Sequence, residues 1–315
     1  MDIQTLSDEL ILYGVTEQMQ DMYIQCKEER WQVVFRKGET FYPYCELDET
    51  DARQLITRFK YLGEMDVGEN RKVQLGAITY SLPGGRQQRL RLSGVGDYRM
   101  RNSLVVRFLH PFVEAEPRFF IPEQLQVVEE ALKRRGLYLF AGPTGSGKTT
   151  LMYQLARQAQ GQVITIEDPV EIEEPNFLQL QVNPKIQQTY DVLIQLSLRH
   201  RPDVLIIGEI RDQETAQAAI RAALTGVKVF ATVHAKGIAG TNARIRELVT
   251  TESELGECLE GVIYQRLLPF DKLGVGALLA YRFSGRELPY DDWQENLQNI
   301  YQQGGLAREF YEKEI

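Results

Sequence analysis

Eight residues, Gly142-Pro143-Thr144-Gly145-Ser146-Gly147-Lys148-Thr149, satisfy every fixed position of the G-x-x-x-x-G-K-[ST] phosphate loop. Each residue type has a chemical reason. Glycines let the backbone curl round a phosphate with no Cβ in the way. Lys148 supplies a point charge for the β- and γ-phosphates of a nucleotide. The Thr149 hydroxyl is a hard oxygen ligand suited to Mg²⁺, and Thr150 follows it at the start of a helix. Three more polar residues have the same kind of placement. Glu167 follows Val163-Ile164-Thr165-Ile166, Glu209 follows Val204-Leu205-Ile206-Ile207-Gly208, and His234 follows Val229-Phe230-Ala231-Thr232-Val233.

Those residues need elements to hold them. Leu137–Ala141 is a short apolar run that reads as a buried parallel strand, and Thr149–Ala156 carries apolar residues at helical spacing without Gly or Pro. Strand, glycine-rich turn and helix together point backbone N–H groups at an anion. Further on, strands 162–166, 204–207 and 229–233 alternate with helices 188–200 and 212–224, so a parallel sheet is expected. Ligands of open parallel sheets bind at the carboxyl ends of the strands. Four strands here end in the phosphate loop, Glu167, Glu209 and His234.

Each has a plainer reading. Glu209 is also an acid that closes a strand and can pair with Arg211. Glu167 lies in an acidic loop with Asp168, Glu171, Glu173 and Glu174, a pattern equally suited to a solvated face. His234 is one of three histidines, and a lone histidine is commonly structural.

The chain has 315 residues, enough for two domains of ordinary size, and its 43% hydrophobic and 25% charged content describes a soluble globular protein. A net charge of −8 gives no overall bias toward nucleic acid. No apolar run approaches the ~18 residues of a membrane span. The start, Met1-Asp2-Ile3-Gln4, lacks the features of a signal peptide. Cys26, Cys45 and Cys258 are scattered without a C-x-x-C, so neither a zinc knuckle nor a disulfide framework is expected, and a reducing cytoplasm suits the chain.

Residues 1–110 read as a small α+β domain. Helices are expected over 2–20 and 48–63, and strands at 22–25, 31–36, 77–82, 89–92 and 104–108, with a turn at Pro83-Gly84-Gly85. Residues 111–122 hold several prolines and read as a linker. A helix over 123–135 then leads into the phosphate-loop strand. The segment from 240 is expected to be helical to 268 and mixed beyond, which makes 235–315 a mainly helical C-terminal part.

Ile164–Glu171, with Glu167-Asp168-Pro169 inside it, resembles the "Asp box" of the secretion ATPases that serve type II secretion, type IV pili and competence pili. Val204–Asp212 resembles their Walker B segment, and Thr225–His234 their "His box". Arg58-Phe59-Lys60, Met65-Asp66, Gln74-Leu75-Gly76 and Gln265-Arg266-Leu267 are similar to further signatures of that family. The likeness covers about residues 1–270. It implies a RecA-like P-loop ATPase domain over 123–315 behind a PAS-like N-terminal domain, assembled as a homo-hexamer that uses ATP and Mg²⁺. By position, Glu167 is then the catalytic glutamate that polarises water, Glu209 acts through Mg²⁺ (with Thr149 as the other metal-side residue), and His234 senses the γ-phosphate. Arg91 and Arg107 fall where the family's N-terminal-domain arginines reach the nucleotide.

The chain departs from the family pattern in four places. Val227 replaces the first His-box histidine, which implies slow turnover. The tetracysteine zinc insert and the extra N-terminal domain of many assembly ATPases are missing, and Tyr23 replaces a common histidine. A short, zinc-free assembly motor is most similar to the competence-pilus ATPases of Gram-positive bacteria. Such a motor is cytoplasmic, held peripherally at the membrane by an inner-membrane platform protein. It reaches pilins indirectly and has no direct nucleic-acid contact. The alternatives are a pilus retraction motor, a DNA-handling RecA-like ATPase, and a ring scaffold that binds ATP but scarcely hydrolyses it.

Overall fold

The computed structural model describes residues 2–37, 40–82, 84–109, 118–183, 186–269, 275–285 and 291–314. The chain divides into two compact units, Met1–Val113 and Glu114–Ile315. Most of the expected linker, 110–117, lies outside the described residues, as does Pro83 of the expected turn.

The first unit contains, in order, α1 (Ile3–Thr16), β1 (Asp21–Lys27), β2 (Arg30–Lys37), β3 (Thr40–Leu47), α2 (Glu49–Leu62), β4 (Gln74–Ser81), β5 (Gln87–Gly96) and β6 (Asn102–Leu109). The strands form one antiparallel sheet in the order β3-β2-β1-β6-β5-β4. Both helices start on an aspartate cap, where Asp2 accepts from the Thr5 N–H at 3.0 Å and Asp48 from the Asp51 N–H at 2.8 Å. Leu6, Leu10 and Ile11 of α1 and Leu55, Ile56 and Phe59 of α2 are buried with the sheet residues Met22, Ile24, Phe35, Leu90 and Val106. The contact at Gly14 is closer than any other side chain would permit, because a Cβ there would lie 2.1 Å from the Phe108 ring. α1 stops at Thr16, short of the expected position 20, and Gln18 takes a positive φ. β3 was not among the strands expected from the sequence, and it carries Pro43. The sheet accommodates it on its edge, beside a register shift at Val33/Val34.

The second unit is built on a seven-stranded sheet. Its elements are α3 (Glu123–Ala131), β7 (Leu137–Ala141), α4 (Lys148–Ala156), β8 (Val163–Glu167), β9 (Leu178–Gln181), α5 (Tyr190–Arg199), β10 (Val204–Ile207), α6 (Gln213–Leu224), β11 (Lys228–Val233), α7 (Gly237–Leu248), α8 (Glu252–Cys258), β12 (Leu259–Pro269), β13 (Val275–Phe283), α9 (Trp293–Gln302) and α10 (Arg308–Glu314). The order is β13-β12-β7-β11-β10-β8-β9, parallel from β12 to β9 and antiparallel only at β13. Every residue of β7, β8 and β10 is buried. Alternate residues feed two cores. Leu137, Leu139, Ile164, Ile166, Leu205 and Ile207 pack with the alanine-rich face of α6, while Tyr138, Phe140, Val163, Val204 and Ile206 pack with α3 and α4. This two-sided burial explains why these strands read as continuous apolar runs.

The C-terminal part differs from expectation. Residues 259–268 are not helical. They form β12, which pairs with β7 and turns back as β13. Only after this hairpin do α9 and α10 follow, and Leu297 and Ile300 of α9, with Leu306 from the connection between the two helices, cover Leu268 and Leu278. Arg118–Pro122, read from sequence as the end of a linker, is seated on β13: the Phe120 N–H donates to the Ala277 carbonyl at 2.9 Å, and Phe120 and Ile121 join the same cluster.

Candidate functional site

The phosphate loop leaves the end of β7 and enters α4. Gly147 is the N-cap of α4 at φ 84°, and no side chain caps that helix. Its first N–H groups therefore remain available to an anion, reinforced by the positive end of the helix dipole. Gly142 has φ 145°, and a Cβ on it would lie 2.3 Å from the Gln265 carbonyl oxygen and 2.7 Å from Ser146 Oγ. Only glycine fits there. Pro143, Thr144 and Gly145 form the exposed crest, Ser146 is buried, and Thr149 and Thr150 are partly buried on the first turn of α4. Lys148 Nζ donates to the Gly142 and Pro143 carbonyls at 2.9 and 2.8 Å, closing the arc from inside. Burial pushes its ammonium below the usual lysine value, against the pull of Glu171 and Glu209.

The neighbouring strand ends bring the acids and the histidine together. β10 lies between β8 and β11, so Glu167, Glu209 and His234 stand side by side. The approach is close at Gly208, where a Cβ would lie 3.3 Å from the Glu167 Cα and 3.1 Å from the Tyr190 hydroxyl. Glu209 forms an ion pair with Arg211 and lies 3.6 Å from His234 Nε2. The pairing with Arg211 therefore accompanies the strand-end placement and does not replace it. Burial, then the charge of Lys148, hold the His234 imidazole below the ordinary histidine value, and Glu209 opposes them. The shift favours the neutral imidazole, which can act as donor or acceptor.

Glu167 is not on a solvated face, being only 4% exposed. Tyr153 on α4 donates to its Oε1 at 2.5 Å and Thr165 donates to the same oxygen at 2.7 Å. Burial raises the Glu167 pKa, and these hydrogen bonds draw it back. Glu174 of the acidic loop is buried too, in an ion pair with Arg157 at the end of α4.

Arg91 and Arg107 belong to the other unit. They are cross-strand partners on β5 and β6, and Arg107 Nε donates to Asp21 Oδ1 at 2.8 Å.

Sequence reasoning missed two groups in this site, and it gave no role to a third. Tyr153 carries no sequence signal, since an aromatic at a helical core position reads as packing. Tyr190 at the start of α5 buries a hydroxyl without a hydrogen-bond partner, and burial and the Glu209 charge raise its pKa. Gln265 lies directly beneath the loop, its amide nitrogen 2.8 Å from where a Gly147 Cβ would be. Its Oε1 and the nearby Ser146 Oγ are buried without partners. Reading 259–268 as a strand would have placed Gln265 beside the end of the phosphate-loop strand.

An uncapped helix start, a loop that excludes Cβ atoms, an inward lysine and a buried, unpartnered Ser146 hydroxyl that can donate fit the triphosphate of a nucleotide. With the parallel sheet and carboxylates at adjacent strand ends, they define a RecA-like P-loop ATPase. The family described as "Type II/IV secretion system protein" matches residues 2–276, and the chain belongs to it. A competence protein ComGA from Streptococcus pneumoniae is 42% identical over 97% of this chain and 96% of its own length. A competence protein ComGA from Bacillus subtilis is 34% identical over 84% of this chain and 76% of its own. Among solved structures, the Legionella pneumophila ATPase DotB superposes with a TM-score of 0.76 at 20% identity, over 98% of this chain and 94% of that one, a likeness of fold.

Proposed function

We propose that this chain is the motor that powers assembly of a competence pilus for DNA uptake. The observation that carries the reading is the 42% identity, over nearly the full length of both chains, to a relative named as a competence protein. The intact strand-end constellation supports it. In this reading the Gly142–Gly147 arc and the α4 N-terminus hold the phosphates, with Lys148 turned from the loop carbonyls onto the β- and γ-oxygens. Thr149 and Glu209 would hold Mg²⁺, whose charge offsets that developing on the transferred phosphoryl group. Glu167 orients and polarises the attacking water, and His234 senses the γ-phosphate as a neutral donor.

The chain works as a homo-hexamer. Arg91 and Arg107 supply positive charge to a nucleotide, which links one subunit's turnover to its neighbour's. Val227, where the family has a histidine, packs against the apolar core and makes no such contact, so turnover is slow. Among the described residues, no helix is long and apolar enough to cross a membrane. The motor acts in the cytoplasm, bound peripherally to an inner-membrane platform protein. It moves that protein through differential contacts in the ATP and ADP states and reaches pilins only through it.

The test is Lys148→Ala in the source cell, at matched protein level, scoring surface filaments and DNA uptake together. Loss of both is expected. Filaments that persist or accumulate would overturn the assembly reading in favour of retraction. Normal filaments with failed DNA processing would instead point to a DNA-handling ATPase.

A further inference from the structure

The phosphate-loop helix and the Asp-box glutamate are joined by a hydroxyl that the mechanism above does not use. Tyr153 is one of the largest fully buried side chains, with its ring 5.3 Å from that of Phe177. Its oxygen is held from the other side by Gln179 of β9, whose amide nitrogen donates to it at 2.8 Å and to the Ile172 carbonyl at 2.8 Å. The Gln179 oxygen in turn accepts from the Glu174 N–H at 2.8 Å. With the amide's orientation fixed by three partners, the Tyr153 oxygen is an acceptor from Gln179. Its one proton must then point at Glu167. Thr165 also gives its proton to Oε1, so both side-chain hydroxyls hold one oxygen of the carboxylate and leave Oε2 to face elsewhere.

We propose that Tyr153 is a positioning residue for Glu167: from the helix that begins at the phosphate loop, it fixes the carboxylate's rotamer so that Oε2 is presented to the attacking water. The proposal rests on the reading of Glu167 as the group that polarises water. Tyr153 keeps its proton throughout and contributes a hydrogen bond only. Its position four residues beyond Thr149 means that any shift of α4 on filling the loop is transmitted to the carboxylate through a single contact.

Charged and titratable groups around Glu167 are few. Glu171 raises its pKa through charge while its backbone N–H lowers it, and the Glu167 charge in turn acts on Tyr190 of α5. The Tyr153 hydrogen bond favours the ionised form, so removing it raises the pKa and moves the acid limb of the pH–rate profile upward.

The test is steady-state ATPase of the full chain against pH, comparing wild type with Tyr153→Phe, Thr165→Val and Glu167→Gln. Tyr153→Phe keeps the ring against Phe177. Its kcat is expected to fall about tenfold, with KM for ATP within about twofold. The acid limb should rise by about one pH unit, the scale of one hydrogen bond to a charged group. Thr165→Val should move the limb the same way and carries the test if Tyr153→Phe misfolds. An unmoved limb with unchanged kcat overturns the proposal. So does a raised kcat, which would mean that the hydroxyl restrains Glu167 away from the water. Glu167→Gln separates the two levels. If it retains turnover, the role of Glu167 itself is refuted and this proposal with it. If it is inactive while Tyr153→Phe behaves as wild type, only the role of Tyr153 is refuted.

Discussion

Replacing Gly142 by alanine tests whether the loop's shape is set by the strand beneath it. Two costs add. An L-residue at φ 145° occupies a region reserved almost entirely for glycine, which costs on the order of 1–3 kcal/mol. The new Cβ also lies 2.3 Å from the Gln265 carbonyl oxygen, about 1 Å inside normal contact. That oxygen belongs to β12, which is paired on both sides, to β7 and to β13, so the loop must move and the strand cannot. A displacement of that size misaligns the N–H groups that face the phosphates. Losing two charge-assisted hydrogen bonds at roughly 1.5–3 kcal/mol each weakens ATP binding by more than about 100-fold.

Gly145 is the control. It also has a positive φ, 76°, but nothing lies within 4 Å of a Cβ placed there. Alanine at 145 should cost only the left-handed conformation, roughly 1–2 kcal/mol, and leave affinity within about tenfold. The assay is titration with a fluorescent ATP analogue beside a thermal melt of each variant. Equal affinities for Gly142→Ala and Gly145→Ala would refute the argument that β12 dictates the loop.

Glu167→Gln should raise thermal stability at neutral pH while abolishing turnover. Burial raises the Glu167 pKa in the folded state, so the stability this group confers is complete below the unfolded value of 4.5 and is lost as pH rises through the folded value. Glutamine keeps an oxygen for Tyr153 and carries no charge, and a Tm gain of about 2–4 °C at pH 7.5 is expected, closing on acidification. A melt that shows the same deficit for Glu167→Gln at every pH would contradict this. Gly14→Ala should destabilise the first unit by roughly 1–3 kcal/mol, since the added methyl meets the Phe108 ring at 2.1 Å. Chemical denaturation followed by Trp31 fluorescence in that unit reads it, and an unchanged midpoint would show that the α1–β6 contact is looser than described.

The sequence was most legible where one residue type has one use. The loop glycines, Lys148, and the acids and histidine at apolar strand ends all stand where their spacing placed them within the second unit. Legibility failed where local preference and final context disagree. Ala277-Leu278-Leu279-Ala280 has the composition of a helix, yet these residues are buried in β13 because β12 offers them a backbone ladder. Pro43 forbids an interior strand and is tolerated on an edge, and which strand is an edge is a property of the whole sheet. Tyr153 and Gln265 were opaque for a related reason. A buried aromatic or a strand glutamine acquires a role only from what the fold sets beside it.

The strand order has a consequence for how the chain is made. β7, which launches the phosphate loop, has no neighbour from its own stretch of sequence. Its two partners are β11 at 228–233 and β12 at 259–269. As the chain leaves the ribosome, the first unit's six strands are complete before Leu137 emerges. The phosphate-loop strand must then wait with both edges unpaired until β11 has been synthesised, and with one edge unpaired until β12 follows. Long-range pairings of this kind are slow to close and leave apolar edges exposed meanwhile. The nucleotide site is therefore among the last features of the protein to exist, and a chain cut short before β12 has its first unit but lacks a strand beside the phosphate loop.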